Sequence, residues 1–92
     1  MHAVVGRVSI APGQFDGSLK ALRGEVVPRV SKAPGFVKGY WAVSDDKSEG
    51  SSFLVFDSKQ SAENAVTMAR SSPMPAGVAF VSIEIREVTA DA

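Results

Sequence analysis

The chain contains no cysteine. Disulfide staples, thiolate metal sites and a cysteine nucleophile are therefore excluded. Histidine occurs once, as His2, and its place at the terminus argues against service as a catalytic base. Lys+Arg and Asp+Glu number 10 each, so no net charge draws the protein toward nucleic acid or anionic membrane. No apolar run approaches the roughly 20 residues of a membrane span. The first residues also lack the basic-then-apolar pattern of a secretory signal, so a cytoplasmic protein is expected. No glycine-rich phosphate loop precedes a helix pattern, and no serine stands in a nucleophile elbow.

What is present is one ordinary domain. Ninety-two residues, 45% hydrophobic and 22% charged, make a single domain (1–92) with a thin core. The charges are uneven. Lys20, Arg23, Arg29, Lys32 and Lys38 outnumber Asp16 and Glu25 early on, while Asp45, Asp46, Glu49, Asp57 and Glu63 outnumber Lys47 and Lys59 later. This reads either as two solvated faces or as a dipolar surface that orients a partner.

Val4 to Ile10 alternates as a strand and stops at Ala11-Pro12-Gly13. Asp16 or Ser18 can open a helix, whose face carries Phe15, Leu19, Leu22, Val26 and Val30. Pro28 removes a helical hydrogen bond, so a kink or a break is expected there. After Ala33-Pro34-Gly35, a second strand runs from Phe36 to Ser44. It sets Phe36, Tyr40 and Ala42 against Val37, Trp41 and Val43. The polar Asp45–Gly50 stretch is a hairpin loop, and Ser52 to Phe56 is the return strand. Asp57 and Ser58 read as an N-cap, with Gln60 placed for a capping box from Asp57. The helix that follows has a narrow stripe of Ala62, Val66 and Ala69. Gly77 to Val88 is a last strand, setting Ala79, Val81, Ile83 and Ile85 against Phe80, Ser82, Glu84 and Arg86.

The order βαββαβ gives an α+β, ferredoxin-like plan: a four-stranded antiparallel sheet with two helices on one face. Alternation then turns Val5, Val37, Trp41, Val43, Phe53, Val55 and Phe80 to the uncovered face. So large an apolar patch calls for cover, and a second copy pairing sheet to sheet supplies it. Arg7 and Glu84, on adjacent strands, are placed to pair inside that homodimer interface. A bulge would exchange these faces and return some of the residues to the core.

The strand running into Ala11-Pro12-Gly13, the step Ala33-Pro34-Gly35-Phe36, and Phe53-Leu54-Val55-Phe56-Asp57-Ser58 running into Ala62-Glu63 carry a resemblance. The chain resembles the dimeric α/β-barrel superfamily, and within it the antibiotic-biosynthesis-monooxygenase-like group. That resemblance implies a homodimer with facing sheets and a ligand cleft between helices and sheet in each subunit. The heme-degrading branch of the group uses an Asn on its first strand, a Trp ending its third and a His on its second helix. The first two places here hold Gly6 and Phe56, and the second helix has no His, so that activity is not carried over. The branch acting on polycyclic phenols leans on Trp, Tyr and Asn in its cleft. Asn64, the one Asn here, sits two residues from Ala62 and so at an exposed place.

The site expected from these residues is an apolar cleft lined by Tyr40, Phe36, Phe56 and Met68, with Met74 a further wall. Tyr40 is the candidate polar contact, or else a satisfied core residue. The expected interface holds Trp41, Phe53, Val55, Arg7, Phe80 and Glu84. Asp45, Asp46 and Glu49 lack the alternating spacing of a calcium loop and read as a solvated hairpin. No metal, no cofactor, no nucleic acid and no membrane partner is expected. Sheet aromatics can stack RNA bases, but the accompanying charges are sparse and mixed. Two functions follow. One is a binder of a small organic molecule acting as a cofactor-independent monooxygenase, in which the substrate's carbanion reduces oxygen. The other is a non-catalytic dimerisation or ligand-carrier module whose cleft is closed by Phe15, Leu19, Phe36 and Phe56.

Overall fold

In the computed structural model, which describes every residue from Met1 to Ala92, four strands form one antiparallel sheet. They are β1 (His2–Ile10), β2 (Phe36–Val43), β3 (Glu49–Phe56) and β4 (Val78–Glu87), in the order β2-β3-β1-β4. The ferredoxin-like arrangement expected from the element order is present. Val4 lies opposite Leu54 on one side and Ile85 on the other. These three residues face the helices, and their packing explains why β1 sits at the centre.

The first helical stretch is broken, as Pro28 requires. It runs as α1 (Phe15–Ala21), a π-helical turn (Leu22–Val26) and α2 (Val27–Ser31). The Val27 N–H donates to the Leu22 carbonyl five residues back, and Pro28, which has no N–H, opens α2. The wider turn keeps Leu22, Val26 and Val30 on one face despite their four-residue steps. Neither Asp16 nor Ser18 caps α1. Its N-cap is Gln14, which makes no side-chain capping bond. Helix α3 (Lys59–Ser71) is capped by Ser58, whose hydroxyl accepts from the Ser61 N–H at 3.1 Å. Gln60 takes no part in that cap and instead donates to Asn64 at 2.9 Å.

The core is small. Val4, Leu54, Phe56 and Ala62 form its centre, and Phe36 meets Phe56 edge to face with ring centroids 5.8 Å apart. Gly35, at φ 79°, makes the turn into β2 and accepts a hydrogen bond from the Asp57 N–H at 2.8 Å. At the other end of the sheet Gly77, at φ 76°, accepts from the Ala11 N–H at 2.8 Å. That bond ties the β1–α1 loop to the α3–β4 loop.

Both edge strands carry a bulge, and each bulge overturns part of the face assignment made by simple alternation. In β2 the register steps from Phe36 opposite Phe56 to Lys38 opposite Val55, leaving Val37 as the extra residue. Beyond it Tyr40 lies opposite Phe53 and Trp41 opposite Ser52. Cross-strand partners share a face. Tyr40 therefore points away from the helices, and Trp41 points toward them. In β4 the register steps from Phe80 opposite Val8 to Ser82 opposite Arg7, with Val81 extra. Phe80 thus joins Val8 on the helix side, and Ala79 leaves it.

The β2–β3 hairpin closes around one carboxylate. Asp46 Oδ1 accepts from the Ser44 hydroxyl at 2.8 Å, from the Ser48 hydroxyl at 2.6 Å and from the Ser48 N–H at 3.0 Å. Bonds from Ser48, side chain first, then those from Ser44, hold the Asp46 carboxyl down to about 2. No group of three or more His, Cys, Asp or Glu side chains in the fold is placed to hold a metal ion. No helix is long and apolar enough to cross a membrane.

Candidate functional site

Between the helices and the sheet lies a cleft of about 390 Å³. Its floor is set by small residues on the two central strands. A Cβ added at Gly6 would come within 2.7 Å of the Ser52 hydroxyl, and one at Gly50 within 2.9 Å of Val8 Cγ2. Side chains larger than hydrogen would fill the space where these two strands lie side by side. Around this low centre stand Trp41, Val43 and Phe80, contributed by the two edge strands. Trp41 and Phe80 arrive there because of the bulges.

The roof has two unequal parts. The α1–α2 stretch supplies Phe15, Leu19, Leu22 and Val26, none of which is buried. Helix α3 supplies Ala65, Met68 and Ala69, and the loop after it adds Pro73, Met74 and Pro75. The loop is braced by the Ser72 hydroxyl, which donates to the Met68 carbonyl at 2.7 Å. Of the 31 lining residues 21 are hydrophobic, which marks the cleft as a place for an apolar molecule. Its polar groups are serines, including Ser18, Ser52 and Ser72, together with Arg23 and Arg29. No His, Asp, Glu or Tyr lines it.

Of the four residues expected at the cleft, Phe56 and Met68 line it. Phe36 lies beside it, packed on the Phe56 ring. Tyr40 is on the wrong side of the sheet. It is 61% exposed, with the Lys38 ammonium 5.4 Å from its ring centroid. The Val37 bulge is the cause, and the position that alternation gave to Tyr40 belongs to Trp41. Of the six residues expected at the interface, Trp41 and Phe80 are in the cleft lining. Phe53, Val55, Arg7 and Glu84 lie on the outer face, where Phe53 is 45% exposed. Arg7 does not pair with Glu84. Its guanidinium meets Glu49 at 3.1 Å, and Glu84 pairs with Arg86. Phe15 and Leu19, which close the cleft only in the non-catalytic alternative, line it and leave it open. With Trp41 and Phe80 withdrawn, the outer face keeps Phe53 and Tyr40 as its large aromatics.

Trp41 could have been found from the sequence. Alternation from Phe36 puts Lys38 among core residues, where an unpaired ammonium is costly. A one-residue slip after Phe36 relieves that cost, and the same slip carries Trp41 inward.

No protein-family model matches the sequence, and no curated protein matches it. Solved structures share the fold, two of them monooxygenases by name. One, assigned as an antibiotic biosynthesis monooxygenase, comes from Chloroflexus aurantiacus J-10-fl. It aligns with a TM-score of 0.69 at 17% identity, over 99% of this chain and 95% of that one. The other is a monooxygenase from the gene ActVA-Orf6 of Streptomyces coelicolor, in complex with nanaomycin D. It aligns with a TM-score of 0.66 at 16% identity, over 99% of this chain and 89% of that one. The architecture of this chain is therefore that of antibiotic-biosynthesis-monooxygenase proteins, and the low identity places it apart from both in sequence.

Proposed function

We propose that two copies of this chain pair through the outer faces of their sheets, and that each cleft binds a small organic molecule with an extended apolar body. The observation that carries this is the cleft itself, about 390 Å³ and lined mainly by hydrophobic side chains over a floor of Gly6, Gly50 and Ser52. A cavity of that size fits within the roughly 300–1,000 Å³ range of small-molecule sites. The pairing rests on the outer face, where Val5, Phe53, Val55 and Tyr40 lie together without cover from any helix.

The reaction proposed for the bound molecule is oxygenation without a cofactor. A substrate whose ring CH₂ is acidic enough to ionise gives up electrons to dioxygen, and CH₂ and O₂ become C=O and H₂O. The chain's part is to strip water from the reacting carbon, with Trp41 and Ser52 supplying the polar contacts at the floor. The solved neighbour in complex with nanaomycin D supports reading the cleft as a ligand site. One observation favours a carrier instead: no side chain lining the cleft is a general base. A carrier needs none, and an oxygenase needs a substrate that ionises without help.

Native mass spectrometry of the freshly purified protein, followed by oxygen uptake with a tricyclic anthrone, separates these readings. A dimer mass with consumption of one O₂ per anthrone supports the oxygenase. A dimer that binds the anthrone and consumes no oxygen above the buffer rate supports the carrier. A monomer at high concentration that binds no anthrone sinks both.

A further inference from the structure

The cleft is apolar, yet its charged lining is all of one sign. Arg23, in the π-helical turn, and Arg29, in α2, are the only charged residues that line it. Neither guanidinium has a carboxylate within ion-pairing distance, whereas Arg7 and Arg86 on the sheet are both paired. Asp16 shares a shallow outer groove with Lys20 and Arg23, and neither it nor Glu25 lines the cleft. Arginine offers several N–H donors and keeps its charge at any physiological pH. Two of them at the mouth of a greasy cleft leave an apolar ligand's neutral end unrewarded and an anionic end well served.

We infer that the cleft selects acids: molecules with an apolar body that fits over Gly6 and Gly50, and one carboxylate or other anionic group held at the rim by Arg23 and Arg29. This rests on the reading of the cleft as a ligand site and names the chemical class of its ligand. Both arginines belong to the stretch that buries no side chain, so they are free to turn toward a ligand without disturbing the core. The anion stays near the solvent edge while the body enters the cavity, so the charge is only partly desolvated.

Two dyes with the same aromatic body provide the test. 1-Anilinonaphthalene-8-sulfonate carries an anion, and N-phenyl-1-naphthylamine does not. Titration of each into the intact protein is followed by dye emission and by quenching of Trp41, the single tryptophan, which lines the cleft. The sulfonate should bind more tightly, and added salt should erode its advantage. Arg23→Gln and Arg29→Gln should each weaken the sulfonate roughly three- to fivefold, as expected for solvent-exposed charge pairs. Neither should alter the neutral dye, which also shows that the variants fold. Arg70→Gln, outside the cleft lining, should leave both dyes unaffected. If the two dyes bind alike and the arginine variants change neither, the acid selectivity is wrong and the cleft remains a ligand site. If neither dye binds or quenches Trp41, the ligand site itself is wrong.

Discussion

Helix α3 meets the sheet with Ala62, Ala65 and Ala69, while the α1–α2 stretch turns Phe15, Leu19, Leu22 and Val26 toward it. Greater bulk does not produce greater burial. Ala62 is 0% exposed, and nothing in α1, the π-helical turn or α2 is buried. Small side chains let α3 approach the backbone of the sheet closely. The larger ones hold the first stretch away, and the cleft is the space they leave. Helix α3 therefore packs the more closely on the sheet, and the first stretch stands over a cavity that both help to roof.

The strongest challenge to this contrast is a pair of truncations. Phe56→Ala, beneath α3 and 0% exposed, should cost about 3–5 kcal/mol in urea unfolding. Phe15→Ala, at the start of α1, should cost less, because its ring is not fully removed from water and lines an open cleft. Equal losses would show that the first stretch is as much a part of the core as α3. A smaller effect of opposite sign is expected at Gly24. No atom outside its own helix lies within 4 Å of the position its Cβ would take, and its φ is not positive. Gly24→Ala should raise stability by roughly 0.5–1 kcal/mol, read as a higher midpoint of thermal unfolding. A loss there would mean that the π-helical turn needs the freedom of glycine.

The smallest expected effect lies away from both helices and calibrates them. The Asp46 carboxyl is held below its unfolded value, down to about 2, by Ser48 and Ser44. Its contribution is therefore present above the ordinary aspartate range and is lost as pH falls toward 2. Carbon-detected NMR titration should find Asp46 well below the ordinary aspartate range, and Asp46→Asn should remove that step with little change in midpoint at pH 7. An ordinary value for Asp46 would show that the hairpin opens in solution.

Element order was legible from the sequence because each element carries its own punctuation. Ala11-Pro12-Gly13 and Ala33-Pro34-Gly35 stop β1 and α2, and Pro28 breaks the long helical pattern where expected. The site was legible only in part. Phe56 and Met68 were found because β3 and α3 are regular. Tyr40, Trp41 and Phe80 were put on the wrong faces because a bulge at Val37 or Val81 has no glycine or proline to announce it. In β2 the misfit of Lys38 was a usable sign. In β4 the alternative face of Ala79, Val81, Ile83 and Ile85 was wholly apolar and offered no contradiction, although Phe80 stood oddly beside Ser82, Glu84 and Arg86.

The extra residue in β2 has a genetic corollary. Loss of the single codon for Val37 would remove the bulge and leave the pairing beyond it as it is, with Tyr40 opposite Phe53 on the outside and Trp41 opposite Ser52 on the inside. For a lineage of such proteins, the bulge is a place where three bases can be lost at an edge while the faces of the residues beyond it are kept.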